Sequence, residues 1–211
     1  MDLQRRWFQG KSIMIKGIIF DLDGTLVHIP IRYDIIFDKL KILFDTKDEF
    51  KPLIPTILIN AKNDANLIQQ AFDLICDEET NAANNFEIIE NAIDILDHFK
   101  NENFSLGLVT MQCKKVAKLV LDSMNISNHF SSIITRDDSP ERTIQIKKSV
   151  EFLSLSPHEV VVIGDRIHDV NSAKQVGCSA ILSNKNKLDS FKESPVISEL
   201  SELKKINFLK I

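Results

Sequence analysis

Five short apolar segments alternate with helical periodicity along most of this chain, and that alternation restricts the possible folds more than any other feature. The segments lie at 17–20, 105–110, 131–135, 159–163 and 179–183. Around the last four, apolar residues recur at helical spacing. Ile93, Leu96 and Phe99 mark a helix over 91–100, and Val116, Leu119, Val120 and Met124 mark one over 115–124. Two more follow at 143–153 and 169–176. Strands alternating with helices of about ten residues predict repeated βα units, hence an α/β fold built on a doubly wound parallel sheet.

The stretch 29–85 interrupts this rhythm. It holds two amphipathic helical patterns, 33–44 and 66–76, with Pro52 and Pro55 punctuating the region between them. A connection of that length is too long for an ordinary βα loop, so a small helical domain is expected directly after the first strand. The predicted organisation is an N-terminal extension over 1–14, an α/β core over 15–28 and 86–211, and a helical cap over 29–85. Met14 offers an alternative start. The segment 195–205 reads as a surface helix with Ile197, Leu200 and Leu203 packed inward.

Charge and composition exclude several classes of function. Hydrophobic residues make up 44% and charged residues 27%, enough to build a buried core. A net charge of -4 argues against a nucleic-acid partner. No apolar run approaches the roughly 20 residues that cross a bilayer, and the N-terminal stretch lacks the apolar segment of a secretion signal. A cytoplasmic protein without a membrane partner is expected. Cys76, Cys113 and Cys178 are widely spaced with no Cys-x-x-Cys pair, so they are read as buried reduced thiols. Gly10-Lys11-Ser12 lacks the earlier glycine of a phosphate-cradling loop. Nothing in the chain specifies an oligomeric state.

Two acidic motifs carry the chemistry. Ile18-Ile19-Phe20 runs into Asp21-Leu22-Asp23-Gly24-Thr25. A bare Asp-x-Asp is common by chance, but requiring Gly-Thr after it reduces the expectation to roughly one chain in 700. The second motif, Gly164-Asp165-Arg166-Ile167-His168-Asp169, follows Val161-Val162-Ile163. Both stand at the carboxyl ends of predicted strands, where open parallel sheets bind ligands. Asp165 and Asp169 are four apart and share one helical face; taken alone, Asp165 is also a good helix N-cap. Three or four carboxylates gathered at neighbouring strand ends repel one another. A hard cation with oxygen ligands relieves that repulsion, and Mg²⁺ suits carboxylates, water and a substrate phosphate. One carboxylate can then serve as nucleophile and another as general acid and base.

On these residues the chain resembles the haloacid dehalogenase-like superfamily of phosphohydrolases, over everything except the extension and the insert. The resemblance implies a Rossmann-like core with a cap after strand one, as in phosphoglycolate phosphatase-like members. It implies that Asp21 is the nucleophile and forms an aspartyl-phosphate, and that Asp23 is the general acid and base. Mg²⁺ would be held by Asp21, the Asp23 carbonyl and Asp165, with Asp169 behind them. Leu106-Gly107-Leu108-Val109-Thr110 supplies the family's second motif, so Thr110 and the N–H of Met111 would bind the phosphoryl group, beside Gly24. The family's third motif is a lysine before the helix that precedes the fourth strand, often in Lys-Pro. No Lys-Pro occurs there. Arg142 is the first candidate for that cation and Lys147 the second; an arginine fork is not equivalent to an ammonium. Arg32, with His28 and Tyr33, is a candidate substrate contact from the cap. The implied activity is Mg²⁺-dependent hydrolysis of a small phosphorylated metabolite. The alternatives are a phosphomutase similar to β-phosphoglucomutase and a non-catalytic binding module on the same fold. Asp23 argues against a dehalogenase, a branch that lacks the second aspartate.

Overall fold

The computed structural model describes residues 14–184, 186 and 191–206. The extension ahead of Met14, with Gly10-Lys11-Ser12, lies outside the described residues. The strands are β1 (Gly17–Phe20), β2 (Val27–His28), β3 (Glu87–Ile88), β4 (Ser105–Val109), β5 (Ser132–Ile134), β6 (Val160–Gly164), β7 (Ser179–Ser183) and β8 (Val196–Ile197). The helices are α1 (Tyr33–Phe44), α2 (Leu53–Ala61), α3 (Ala65–Ala83), α4 (Ala92–Asn101), α5 (Lys114–Ser123), α6 (Arg142–Phe152) and α7 (Ile167–Val176).

Six strands form one sheet in the order β5-β4-β1-β6-β7-β8, every neighbouring pair parallel. Strand β1 is at the middle and fully buried, because alternate residues enter two different cores. Ile18 and Phe20 pack on one face with Ile95 and Phe99 of α4, Val116 and Val120 of α5, and Leu200 and Leu203. Ile19 packs on the other face with Ile146 and Val150 of α6 and Val170 and Ala173 of α7. Helices therefore cover both faces, the condition under which a parallel sheet is stable. The chain order runs outward from β1 in both directions. This leaves a crevice at the carboxyl ends of β4, β1 and β6.

Helices α1, α2 and α3 lie between β2 and β3, a short antiparallel ribbon pairing Val27 with Ile88 and His28 with Glu87. They share a cluster of their own, built on Ile36, Leu40, Phe50, Ile57, Ala71 and Ile75. Helix α3 starts at Asp64, whose carboxylate accepts from the N–H groups of Asn66 and Leu67 at 2.9 and 3.2 Å. It continues beyond 66–76 to Ala83, because its buried stripe of Ala71 and Ile75 extends through Glu79 and Ala83.

The structure departs from the sequence expectations at three places. Pro52 and Pro55 do not merely punctuate a loop: Pro52 is the N-cap of α2 and Pro55 falls in its first turn. The N–H groups of a first turn have no intrahelical partner, so proline costs little there. The segment 195–205 is not one helix. Val196 and Ile197, both β-branched, pair with Leu182 and Ser183 as the edge strand β8, and only Leu200–Lys205 coils, as a 3₁₀ turn. Ile197, Leu200 and Leu203 are nevertheless buried. Cys76 and Cys113 are not reduced thiols but a disulfide, with Cα atoms 5.7 Å apart at a sequence separation of 37. Packing of α3 on α5 brings the two together, a proximity that sequence spacing does not encode. Cys178 is a buried free thiol. Among the described residues, no helix is long and apolar enough to cross a membrane.

Candidate active site

Asp21 directly follows β1, and its N–H donates to Ile163 O at 2.9 Å, tying it to β6. The chain then turns tightly on Leu22 O, which accepts from the N–H groups of Leu26 and Val27 at 2.9 and 3.1 Å. Gly24 holds the turn at a φ of +89°, where a Cβ would lie 2.5 Å from Asp165 Oδ2. Glycine is thus required twice over, for its backbone angle and for the close approach of Asp165. The Gly24 N–H already donates to Val27 O at 2.7 Å, so it is not free for a phosphate. Asp23 Oδ1 accepts from Ile29 N–H at 2.9 Å, anchoring this carboxylate at the foot of the helical insert.

Asp165 follows β6, and Asp169 lies in the first turn of α7, where its Oδ2 accepts from Arg166 N–H at 3.1 Å. A Cβ on Gly164 would meet the Asp169 carboxyl at 2.6 Å, so this glycine too permits a close approach. Asp21, Asp165 and Asp169 each offer a carboxylate oxygen within 4.8 Å of the others. Burial pushes the Asp21 carboxyl up to about 7; Arg142 opposes the shift, while Asp169 and Asp165 add to it. Asp165 is pushed up to about 6, again chiefly by burial. Burial likewise raises Asp23.

Arg142, the first residue of α6, reaches this cluster. Its Nη2 donates to Asp21 Oδ1 at 2.7 Å. Its Nε lies 3.1 Å from Asp169 Oδ1, an ion pair whose angle falls short of a hydrogen bond. Nη1 donates to Gln145 Oε1 at 3.3 Å. The Arg142 guanidinium thus pairs with two of the three carboxylates, and the buried Asp165 Oδ1 has no hydrogen-bond partner among the described residues. An all-oxygen donor set with surplus negative charge and an orphaned carboxylate oxygen fits a small divalent cation such as Mg²⁺. Lys147 is on the exposed face of α6, away from the cluster.

Thr110 directly follows β4, buried, and its Oγ1 accepts from Gln112 N–H at 3.1 Å. The N–H groups of Leu22, Asp23 and Met111 have no acceptor among the described residues. Backbone N–H groups without an acceptor, at the strand ends that carry the carboxylates, are of the type that can bind an anion. A cavity of about 470 Å³ opens between Asp23, Asp165 and Arg166 of the core and His28, Arg32 and Tyr33 of the insert. Arg32 is exposed and held by Asp34 through contacts of 2.7 and 3.0 Å. His168 is exposed on α7 and does not line this cavity.

Sequence reasoning did not single out Gln145, Arg166, Glu79 or Arg136. Gln145 donates to Thr110 O at 2.9 Å and to Ser139 O at 2.8 Å, fixing the end of β4 to α6. Arg166 brings a cation to the cavity wall, with its Nε 3.9 Å from Asp165 Oδ1. Glu79 had a legible signal, since a carboxylate stands in register with the apolar stripe Ala71-Ile75-Ala83.

Comparison with known proteins agrees with this geometry. Residues 18–183 match the family model of the haloacid dehalogenase-like hydrolases. A pyrophosphatase PpaX of Oceanobacillus iheyensis is 26% identical over 206 residues, covering 90% of this chain and 95% of the relative. Among solved structures, a HAD phosphatase from Thermococcus onnurineus is 26% identical with a TM-score of 0.66, covering 91% of this chain and 97% of that one. A predicted phosphoglycolate phosphatase of Haemophilus somnus is 21% identical with a TM-score of 0.63, covering 92% of this chain and 98% of that one.

Proposed function

The chain belongs to the haloacid dehalogenase-like hydrolases, and from that premise we propose a Mg²⁺-dependent phosphatase that transfers the phosphoryl group of a small substrate to Asp21 and then to water. The observation that supports the reading is the carboxylate cluster of Asp21, Asp165 and Asp169, in which Arg142 pairs with Asp21 and Asp169 while Asp165 Oδ1 has no hydrogen-bond partner among the described residues. Mg²⁺, held by the Asp21 and Asp165 carboxylates and the Asp23 carbonyl with Asp169 behind them, would offset the repulsion between an anionic nucleophile and an anionic phosphate.

The remaining steps belong to the chain. Arg142 holds Asp21 Oδ1, which leaves Oδ2 to attack phosphorus. The free N–H groups of Leu22, Asp23 and Met111, with the Thr110 hydroxyl, bind the non-bridging phosphate oxygens as charge shifts onto them. Asp23 gives its proton to the departing oxygen as the bond from phosphorus to that oxygen breaks; burial raises this carboxyl and favours the protonated form it needs. Asp23, now a carboxylate, takes a proton from water. The water oxygen bonds to phosphorus, the bond to Asp21 Oδ2 breaks, and inorganic phosphate leaves.

The cavity suggests the substrate class. Arg166, Arg32 and His28 line it together with Asp23, a polar rim suited to a second anionic group on the substrate. Pyrophosphate and small carboxylated phosphate esters carry such a group, and both fit the relatives' names. The test is phosphate release from a panel of these substrates, with Mg²⁺ or with chelator. Release that requires Mg²⁺ and disappears in Asp21→Asn supports the reading. Chelator-resistant release, or a folded Asp21→Asn that keeps turnover, contradicts it. Transfer between sugar phosphates with little free phosphate supports the phosphomutase alternative.

A further inference from the structure

Helix α3 of the insert reaches across to the core through one carboxylate. Glu79 is almost fully buried near the carboxyl end of α3. Its Oε1 accepts from Arg136 Nη1 at 2.7 Å, and its Oε2 accepts from Arg136 Nη2 at 3.0 Å and from Cys113 N–H at 3.2 Å. Gln112, with its amide nitrogen turned toward Glu79, donates to the same two oxygens at 3.0 and 3.3 Å. Arg136 Nη1 also donates to Met111 O at 2.8 Å, and its guanidinium covers the Phe72 ring of α3. Cys113, the N-cap of α5, makes no side-chain cap, so Glu79 supplies from another element an acceptor that the helix start lacks. The disulfide from Cys76, one turn earlier on α3, holds the same seam.

These contacts converge on residues 111–113, the loop that carries the Met111 N–H assigned above to phosphate binding. A buried ion pair with this many hydrogen bonds is costly to desolvate and gains its value from fixing one geometry. Among the described residues, no hydrogen bond or ion pair of Glu79 or Arg136 goes to Asp21, Asp165 or Asp169. We propose that Glu79 is a positioning residue. Through Arg136 and the backbone of Met111 and Cys113, it sets the phosphate-binding loop from the insert, so the grip on phosphate depends on where α3 sits. This rests on the phosphatase reading for the loop's role.

Three affinities and rates separate positioning from mere support of the fold. In Glu79→Gln, one oxygen and the charge are lost while size is kept. Binding of inorganic phosphate in the presence of Mg²⁺ should weaken about tenfold, the factor that corresponds to one charge-assisted hydrogen bond. The kcat/KM should fall at least as much, while the Mg²⁺ concentration for half-maximal effect stays within about twofold. If Glu79→Gln does not fold, Arg136→Lys carries the same test, because it keeps the charge opposite Glu79 but loses the second donor to the loop. Equal phosphate affinity in wild type and variant, or parallel loss of phosphate and Mg²⁺ affinity, overturns the proposal. Wild type that binds phosphate without turning over any substrate removes the phosphatase reading and leaves the Glu79 test readable by binding alone. Wild type that binds no phosphate overturns both.

Discussion

Asp21 and Asp165 are held in the folded protein at about 7 and about 6, against an ordinary value of 3.8 for both. Burial is the main cause in each, with the neighbouring carboxylates adding to it. The sign of the linkage follows. The folded protein binds these protons more tightly than the unfolded chain, so stability is greatest below the ordinary value. It falls as pH rises toward the two raised values, and is flat above them. The carboxylates held low by partners, Asp34, Asp122, Glu159 and Glu202, lie at the surface or half-buried and act in the opposite sense, in the acid range below this window. In chelator, the thermal midpoint should therefore decline between about pH 4.5 and pH 7. Added Mg²⁺ should raise it more at pH 7 than at pH 4.5, because the cation competes with protons for the same oxygens. A midpoint that is level across that range, or an equal Mg²⁺ effect at both ends, contradicts the account.

The carboxyl ends of β1 and β6 and the starts of α6 and α7 together make the charge arrangement. Helix α6 opens on Arg142, buried, at the end of the helix that favours negative charge. A cation is tolerated there because Asp21 and Asp169 face it at 2.7 and 3.1 Å. The two contacts come from different nitrogens of the fork, a reach that an ammonium does not reproduce. Arg142→Ala should lower kcat by a factor on the order of 10² to 10³. Arg142→Lys should recover part of that loss but not all of it. A lysine variant as slow as alanine, or an alanine variant as fast as wild type, would remove Arg142 from the reading. At this scale the sequence was informative wherever periodicity was local: helix α1 spans Tyr33–Phe44, the bounds its apolar spacing predicts. It was silent on the β2–β3 ribbon, whose strands have two residues each and pair across the whole insert. It misled at α2, where Pro52 is the N-cap and Pro55 falls in the first turn, the positions of a helix that accept proline.

Across the whole molecule, the parallel sheet and the acidic motifs at its strand ends were legible, because both are written in short runs of consecutive residues. What joins the insert to the core was not. The pair Glu79–Arg136 is separated by 57 residues and the disulfide by 37, and neither separation has a period to detect. Only the misplaced charge on the α3 stripe hinted at the first. Insert and core enclose the cavity beside Asp23 from opposite sides, so a substrate seated there is contacted by both. In the proposed mechanism, a substrate seated there would limit access of water while Asp21 carries the phosphoryl group. The account depends on that covalent step, and Asp23→Asn isolates it. An aryl phosphate has a leaving group that needs no proton, so this variant should still be phosphorylated, yet it lacks the base that activates water. The measurement is the mass of the peptide bearing Asp21, after Asp23→Asn is mixed with an aryl phosphate and Mg²⁺ and quenched in acid. The account predicts that this peptide gains one phosphoryl group, carried on Asp21. Release of the aryl alcohol with no phosphoryl group on Asp21 would contradict it.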